Sequence, residues 1–276
     1  MMTASITPLV TQSIKPRRMD FEFSDDIPMD WFGGDPFKSM VLTALSATFP
    51  DGERFFVDSV RQFQAGLPKQ LAQEVRGFIG QEAHHGREHD SFNAMMQRNG
   101  LPMDDIALFV KKGLGFMRKR LSPQRQLAMT CALEHLTAVF AELALSEPDF
   151  FKPMDERMKP LWYWHAIEEN EHKAVAFDVF QHQVGSYWIR SSQMALNTVE
   201  FFFFSGLHTY QLFKARGIQR DWAMHRRGFS EFFGRNPGWL RKMSGAYLAY
   251  YKPSFHPWQR DTKALMKHWK EVYQID

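Results

Sequence analysis

Gln81-Glu82-Ala83-His84-His85-Gly86-Arg87-Glu88-His89 and His165-Ala166-Ile167-Glu168-Glu169-Asn170-Glu171-His172 put acids and imidazoles where an amphipathic helix needs apolar side chains. At about 100° per residue, Glu82, His85 and His89 share a stripe with Leu71, Val75, Phe78 and Met96. In the second segment His165, Glu168, Glu169 and His172 align with Met158, Leu161, Val179 and Phe180. An ionised carboxylate buried without a partner is prohibitive, so something must neutralise these acids. Carboxylate and imidazole at i, i+3 on two helices are the ligand pattern of a dinuclear metal site inside a helix bundle.

The rest of the chain is consistent with one large all-α protein. Its 276 residues can bury a sizeable core. A net charge of +3 gives no argument for nucleic acid. A single cysteine, Cys131, excludes an internal disulfide framework and a cysteine-based zinc cluster. Met1–Val10 has no continuous apolar run, so no secretory signal is expected, and the sequence reads as cytoplasmic.

Residues 1–34 read as an irregular arm, broken by Pro8, Pro16, Pro28 and Gly33-Gly34. Asp35-Pro36 predicts a helix start, and Pro50 predicts an interruption with a continuation over 51–64. A long helix follows Pro68 and stops at Asn99-Gly100. Further helices are predicted over 103–119, from Ser122-Pro123 to Glu147-Pro148, and over 154–184. Beyond Gly185 come segments at 187–214, 220–233, 237–250 and 260–273. The predicted organisation is an arm (1–34), a metal-binding bundle (35–185) and a C-terminal helical extension packed on it (186–276). Four consecutive Phe, 201–204, sit in a window that also holds Glu200 and His208, which argues against a transmembrane span. A core helix is the expected reading, with contact at a membrane surface as the alternative.

A search of the other helices for matching acids finds Glu53 on the first and Glu134 on the helix after Ser122. In chain order the helices offer Glu53, then Glu82 with His85, then Glu134, then Glu169 with His172, at glutamate intervals of 29, 52 and 35 residues. Four carboxylates balance two divalent ions. The pattern resembles the ferritin-like di-iron carboxylate superfamily. A closer resemblance is to the bacterial family labelled "predicted metal-dependent hydrolase". Its motifs are similar to Phe-Pro-Asp-Gly-Glu-Arg-Phe-Phe (49–56), Gln-Glu-Ala-His-His (81–85), Glu-His-Leu-Thr-Ala (134–138), Trp-His-Ala-Ile-Glu-Glu-Asn-Glu-His-Lys-Ala-Val-Ala-Phe-Asp (164–178) and Phe-His-Pro-Trp (255–258). The resemblance runs from about residue 20 onward.

It implies a ferritin-like four-helix bundle with additional C-terminal helices and a minimal ligand set of Glu53, Glu82, His85, Glu134, Glu169 and His172. His89 is a further expected ligand, the alternative being a supporting ring that donates its N–H to a ligating carboxylate. His165 and Glu168 are expected general bases, either of which could also ligate, Glu168 in place of Glu169. Glu171 and His84 are read as surface residues, and His135 as a poor ligand candidate. The implied cofactor is two metal ions, iron before manganese or zinc. The expected reaction is O2-dependent oxidation of an apolar small molecule with an external electron donor. The alternatives are metal-dependent hydrolysis and a non-catalytic metal-binding role. Phe201–Phe204, Trp222, Phe229, Phe232 and Phe233 are expected to shape the substrate cavity, with small residues near Glu134 leaving room beside the metals. Phe255–Trp258 is either a packed turn or a lid. Long helices also allow a homodimer.

Overall fold

The computed structural model describes residues 14–276; Met1–Val10 and Pro8 of the arm lie outside them. Among the described residues the only regular structure is helical, with one isolated bridge between Phe32 and Met154. Asp35 caps α1 (Pro36–Arg61) by accepting from the N–H groups of Phe37 and Lys38, with Pro36 at the tolerated first position. Pro50 does not interrupt this helix, contrary to the expectation. A proline frees the carbonyl four residues back, and here the Asn93 side-chain amide donates to Ser46 O at 3.0 Å. With that acceptor satisfied from a neighbouring helix, α1 carries its axis on to Glu53.

α2 (Lys69–Arg98), α3 (Met103–Arg120) and α4 (Pro123–Ser146) follow the sequence reading closely. A short α5 (Pro148–Phe151) follows, and the helix expected over 154–184 is instead two pieces, α6 (Lys159–His172) and α7 (Val175–Gln183). Pro160 falls in the first turn of α6, where its missing N–H costs nothing. The chain turns again directly after His172, where Lys173 reaches to Arg260 O (2.7 Å) and Thr262 Oγ1 (3.0 Å).

α1, α2, α6 and α4 touch in a closed ring, each packing on the next. The C-terminal helices are α8 (Tyr187–Ala215), α9 (Trp222–Phe233), α10 (Trp239–Ala249) and α11 (Lys263–Tyr273). α8 packs on α4 and α1, α9 on α1, α10 on α4, and α11 on α6. α4 is the one described helix long and apolar enough to cross a bilayer, but it is 78% buried here, as the core helix of this assembly.

Irregular as it is, residues 14–34 are part of the core. Phe23, Ile27, Trp31 and Phe32 are buried, and Trp31 stacks on Trp162. The segment lies so close on α2 that a Cβ at Gly77 or Gly80 would come within 2.5 Å of Ile14 or Pro16. Those two glycines set the path that brings Arg17 inside.

Candidate metal centre

From the two opening segments, Glu82, His85, His165, Glu169 and His172 converge inside the ring. Glu53, Glu82, His85, Glu134, Glu169 and His172 are all buried. Gly86 lets α1 and α2 approach, since a Cβ there would lie 3.1 Å from the Glu53 carboxylate. Ligand atoms fall into three groups that could each hold an ion, the atoms of a group lying within 4.8 Å of one another. They are Glu53–His85–His165, Glu82–His85–Glu169 and Glu82–Glu134–His172. Together they use seven residues and share His85 and Glu82, so they form one continuous centre.

The decisive feature is what these atoms lack. Both carboxylate oxygens of Glu53, Glu82 and Glu134, together with His85 Nδ1 and His172 Nε2, are buried without a hydrogen-bond partner among the described residues. His172 Nε2 lies 3.1 Å from Glu82 and 3.3 Å from Glu134, close enough for attraction but without hydrogen-bond angles. Each such group costs about 1–3 kcal/mol when left unsatisfied, and more if charged. Divalent cations held by these groups would satisfy them, so the residues fit a metal pair.

The outer face of each imidazole is pinned. His85 Nε2 sits 3.1 Å from Glu168 Oε2, and Arg17 donates to Glu168 Oε1 at 2.8 Å. His172 Nδ1 is 3.0 Å from Gln81 Oε1. His165 Nδ1 is 2.6 Å from His89 Nε2, whose own Nδ1 meets Ser46 Oγ at 2.8 Å. With one ring nitrogen fixed, the other is aimed inward, the usual arrangement around a metal-bound histidine.

Three expectations change here. His89 joins none of the three groups and instead supports His165, which takes its place as a candidate ligand. Glu168, read as a general base or as a substitute for Glu169, is occupied by His85 and Arg17. Glu171, read as a surface residue, is 1% exposed: it takes both terminal nitrogens of Arg17, the Gln81 amide and Lys270. The sequence carried no signal for this network, because Arg17 comes from a segment without periodicity. His84 and His135 stay outside the centre, the latter with its Nε2 3.2 Å from Ala246 O.

Electrostatics follow the geometry. Burial pushes the Glu53 and Glu82 carboxyls well above the usual range, reinforced by the other acids. Burial raises Glu134 to about 7 against the opposing charge of His172. For Glu169 burial acts upward, but the bond to His165 and the attraction of His172 nearby outweigh it and hold the group well below the usual range. Burial keeps His85 and His89 well below the ordinary imidazole value and therefore neutral, as a ligand and its supporting ring require.

Beside the centre is a cavity of about 510 Å3. His165, Glu169 and Thr137 mark its metal end, with the Thr137 hydroxyl donating to Glu169 Oε2 at 2.6 Å. Most of its wall is hydrocarbon and aromatic: Phe49, Phe140 and Trp162 near the centre, and Phe201, Phe202, Phe229, Phe232 and Phe233 further out. Trp222, Phe203 and Phe204, also expected there, are not part of the wall; of the small residues near Glu134, Ala141 is. Phe255–Trp258 does not reach the cavity. It is a packed turn, with His256 Nε2 2.9 Å from Asp178 and Phe255 buried against Tyr250 and Phe177.

A family model described as "predicted metal-dependent hydrolase" matches residues 15–261. No curated protein and no solved structure matches the chain.

Proposed function

This chain belongs to the predicted metal-dependent hydrolase family, and we propose that it is a dinuclear metal enzyme that oxidises an apolar substrate with O2. The ring of α1, α2, α6 and α4 is read as a ferritin-like four-helix bundle. The observation that carries the proposal is the set of fully buried, unpartnered oxygens on Glu53, Glu82 and Glu134, facing the unpartnered nitrogens of His85 and His172. Glu53, Glu82, Glu134 and Glu169, with His85, His165 and His172, would hold two ions. Four carboxylates and three imidazoles with no thiolate favour iron or manganese. Two ferrous ions would supply electrons to O2, and an external donor would restore them, since the sequence carries no flavin or iron–sulfur motif.

The chain's own residues do the positioning. Glu168, Gln81 and His89 fix the three imidazoles. Thr137 fixes Glu169, so that this carboxylate and His165 present the polar end of an otherwise greasy cavity. A substrate lying along the aromatic wall is held by apolar contact and keeps water from the centre. Such a wall suits a reaction at a hydrocarbon position, because it offers few polar groups to orient an ester or amide.

Hydrolysis is the second reading, and the family description favours it. There the ions would act as Lewis acids toward water, with His165 at the cavity end as the base. Anaerobic loading with Fe(II), followed by O2 and optical and Mössbauer spectroscopy, separates the two. Oxidation of two irons per chain on exposure supports the proposal. Two bound irons that never react, in a protein that cleaves apolar esters without O2, would establish hydrolysis instead.

A further inference from the structure

The cavity reaches the surface through side chains that are themselves exposed: Phe202 and Tyr210 on α8, Phe229 and Phe233 on α9. We propose that this rim docks on an anionic lipid bilayer and that the cavity takes a substrate with an acyl-like chain directly from it. The substrate half of this inference rests on the cavity being the substrate site; the docking half does not.

α9 is built the wrong way round for a helix that faces water. Positions 222, 226, 229 and 233 form one stripe at spacings of 4, 3 and 4, and they carry Trp, Arg, Phe and Phe. Trp222 is 76% exposed, Phe229 55% and Phe233 60%, while Met224 and Gly228 on the opposite side are buried. On α8, Val199 and Phe203 add further exposed apolar surface, and Phe203 meets Phe204, which in turn meets Phe109 of α3. Exposed aromatics gathered around one cavity mouth, Phe202, Tyr210, Phe229 and Phe233, mark a docking surface rather than ordinary scatter.

Charge selects the occupant. Lys214, Arg220, Arg226, Arg227, Arg235 and Arg241 surround this stripe in sequence, and none has an ion pair among the described residues. The acids of the same stretch are already engaged: Asp221 caps α9 through Met224 N–H, and Glu231 pairs with Lys38. Exposed aromatics interleaved with unneutralised cations match the boundary between anionic headgroups and acyl chains. A second copy of the chain fits worse, because a two-fold contact would set this cationic face against itself. The bilayer-length helix α4 lies in the core, so the contact is peripheral.

The test is co-sedimentation of the metal-loaded protein with sucrose-filled vesicles of phosphatidylcholine, with and without phosphatidylglycerol. The expected result is partition onto the phosphatidylglycerol vesicles that weakens as salt rises. It should fall at least tenfold in Trp222→Ser/Arg226→Glu/Arg227→Glu, none of which lines the cavity, with metal content and helix content unchanged. No partition by the wild type, or equal partition by the variant, overturns the proposal. So does a wild-type dimer that this variant converts to a monomer. Because metal content is read on the same samples, failure of docking and failure of the metal centre are separately visible.

Discussion

Residues 168–172 feed two adjoining buried charge clusters, and the chain neutralises them in opposite ways. Glu171, with Glu168 beside it, meets cations that the protein supplies itself, Arg17 from the arm and Lys270 from α11. Glu169 and His172 face Glu53, Glu82 and Glu134, where no lysine or arginine forms an ion pair with any of these acids among the described residues. The first cluster is an ordinary buried ion network. The second is short of positive charge, and the contrast is what supports proposing it as the place for two divalent ions.

The comparison can be broken from the network side first, where the largest energetic effect lies. Arg17→Met removes the one cation shared by two buried carboxylates, leaving Glu168 without a cation, and should cost about 3–5 kcal/mol in urea unfolding, while the metal count per chain stays the same. If Arg17→Met instead abolished metal binding at full stability, the two clusters would be one. On the other side the sign reverses. In metal-stripped protein, Glu82→Leu removes an unsatisfied acid and should stabilise by about 1–3 kcal/mol; destabilisation by that amount would mean Glu82 has a protein partner after all.

Between these lies Gln81→Met, which frees the outer nitrogen of His172. Competition with a chromophoric chelator should show metal affinity about 10–100-fold weaker with stoichiometry kept; unchanged affinity would remove Gln81 from the account. The smallest effect is in protons. Burial raises Glu53 and Glu82 above their ordinary value of 4.5, so the metal-free chain retains protons there at higher pH. A raised folded value favours folding at pH below the ordinary one and loses that benefit as pH rises through the raised one. Metal loading near neutrality should therefore release protons, read by calorimetry in buffers of different ionisation heat, and should flatten this pH dependence.

The centre was legible because a helix repeats its chemistry every three or four residues, so Glu82–His85 and Glu169–His172 stand out against apolar neighbours. Helix ends at Asp35, Pro68, Ser122 and Gly185 were legible for the same local reason. What was not legible depended on partners distant in sequence. Pro50 stays inside α1 because Asn93 takes up the freed carbonyl. Glu171 is buried because an irregular arm crosses two glycines of α2 and inserts Arg17. His89 and His165 lie on helical faces that admit either as a ligand, and only the packing of the helices puts His165, and not His89, among the grouped ligand atoms.

The central claim is that the unpartnered acids exist to hold two metals, and elemental analysis of the purified, reconstituted chain tests it most directly. Two ions per folded wild-type chain, and near-complete loss in Glu82→Ala/His172→Ala of unchanged helix content, is the predicted result. A folded wild type that retains no metal after anaerobic Fe(II), Mn(II) and Zn(II) loading would contradict it.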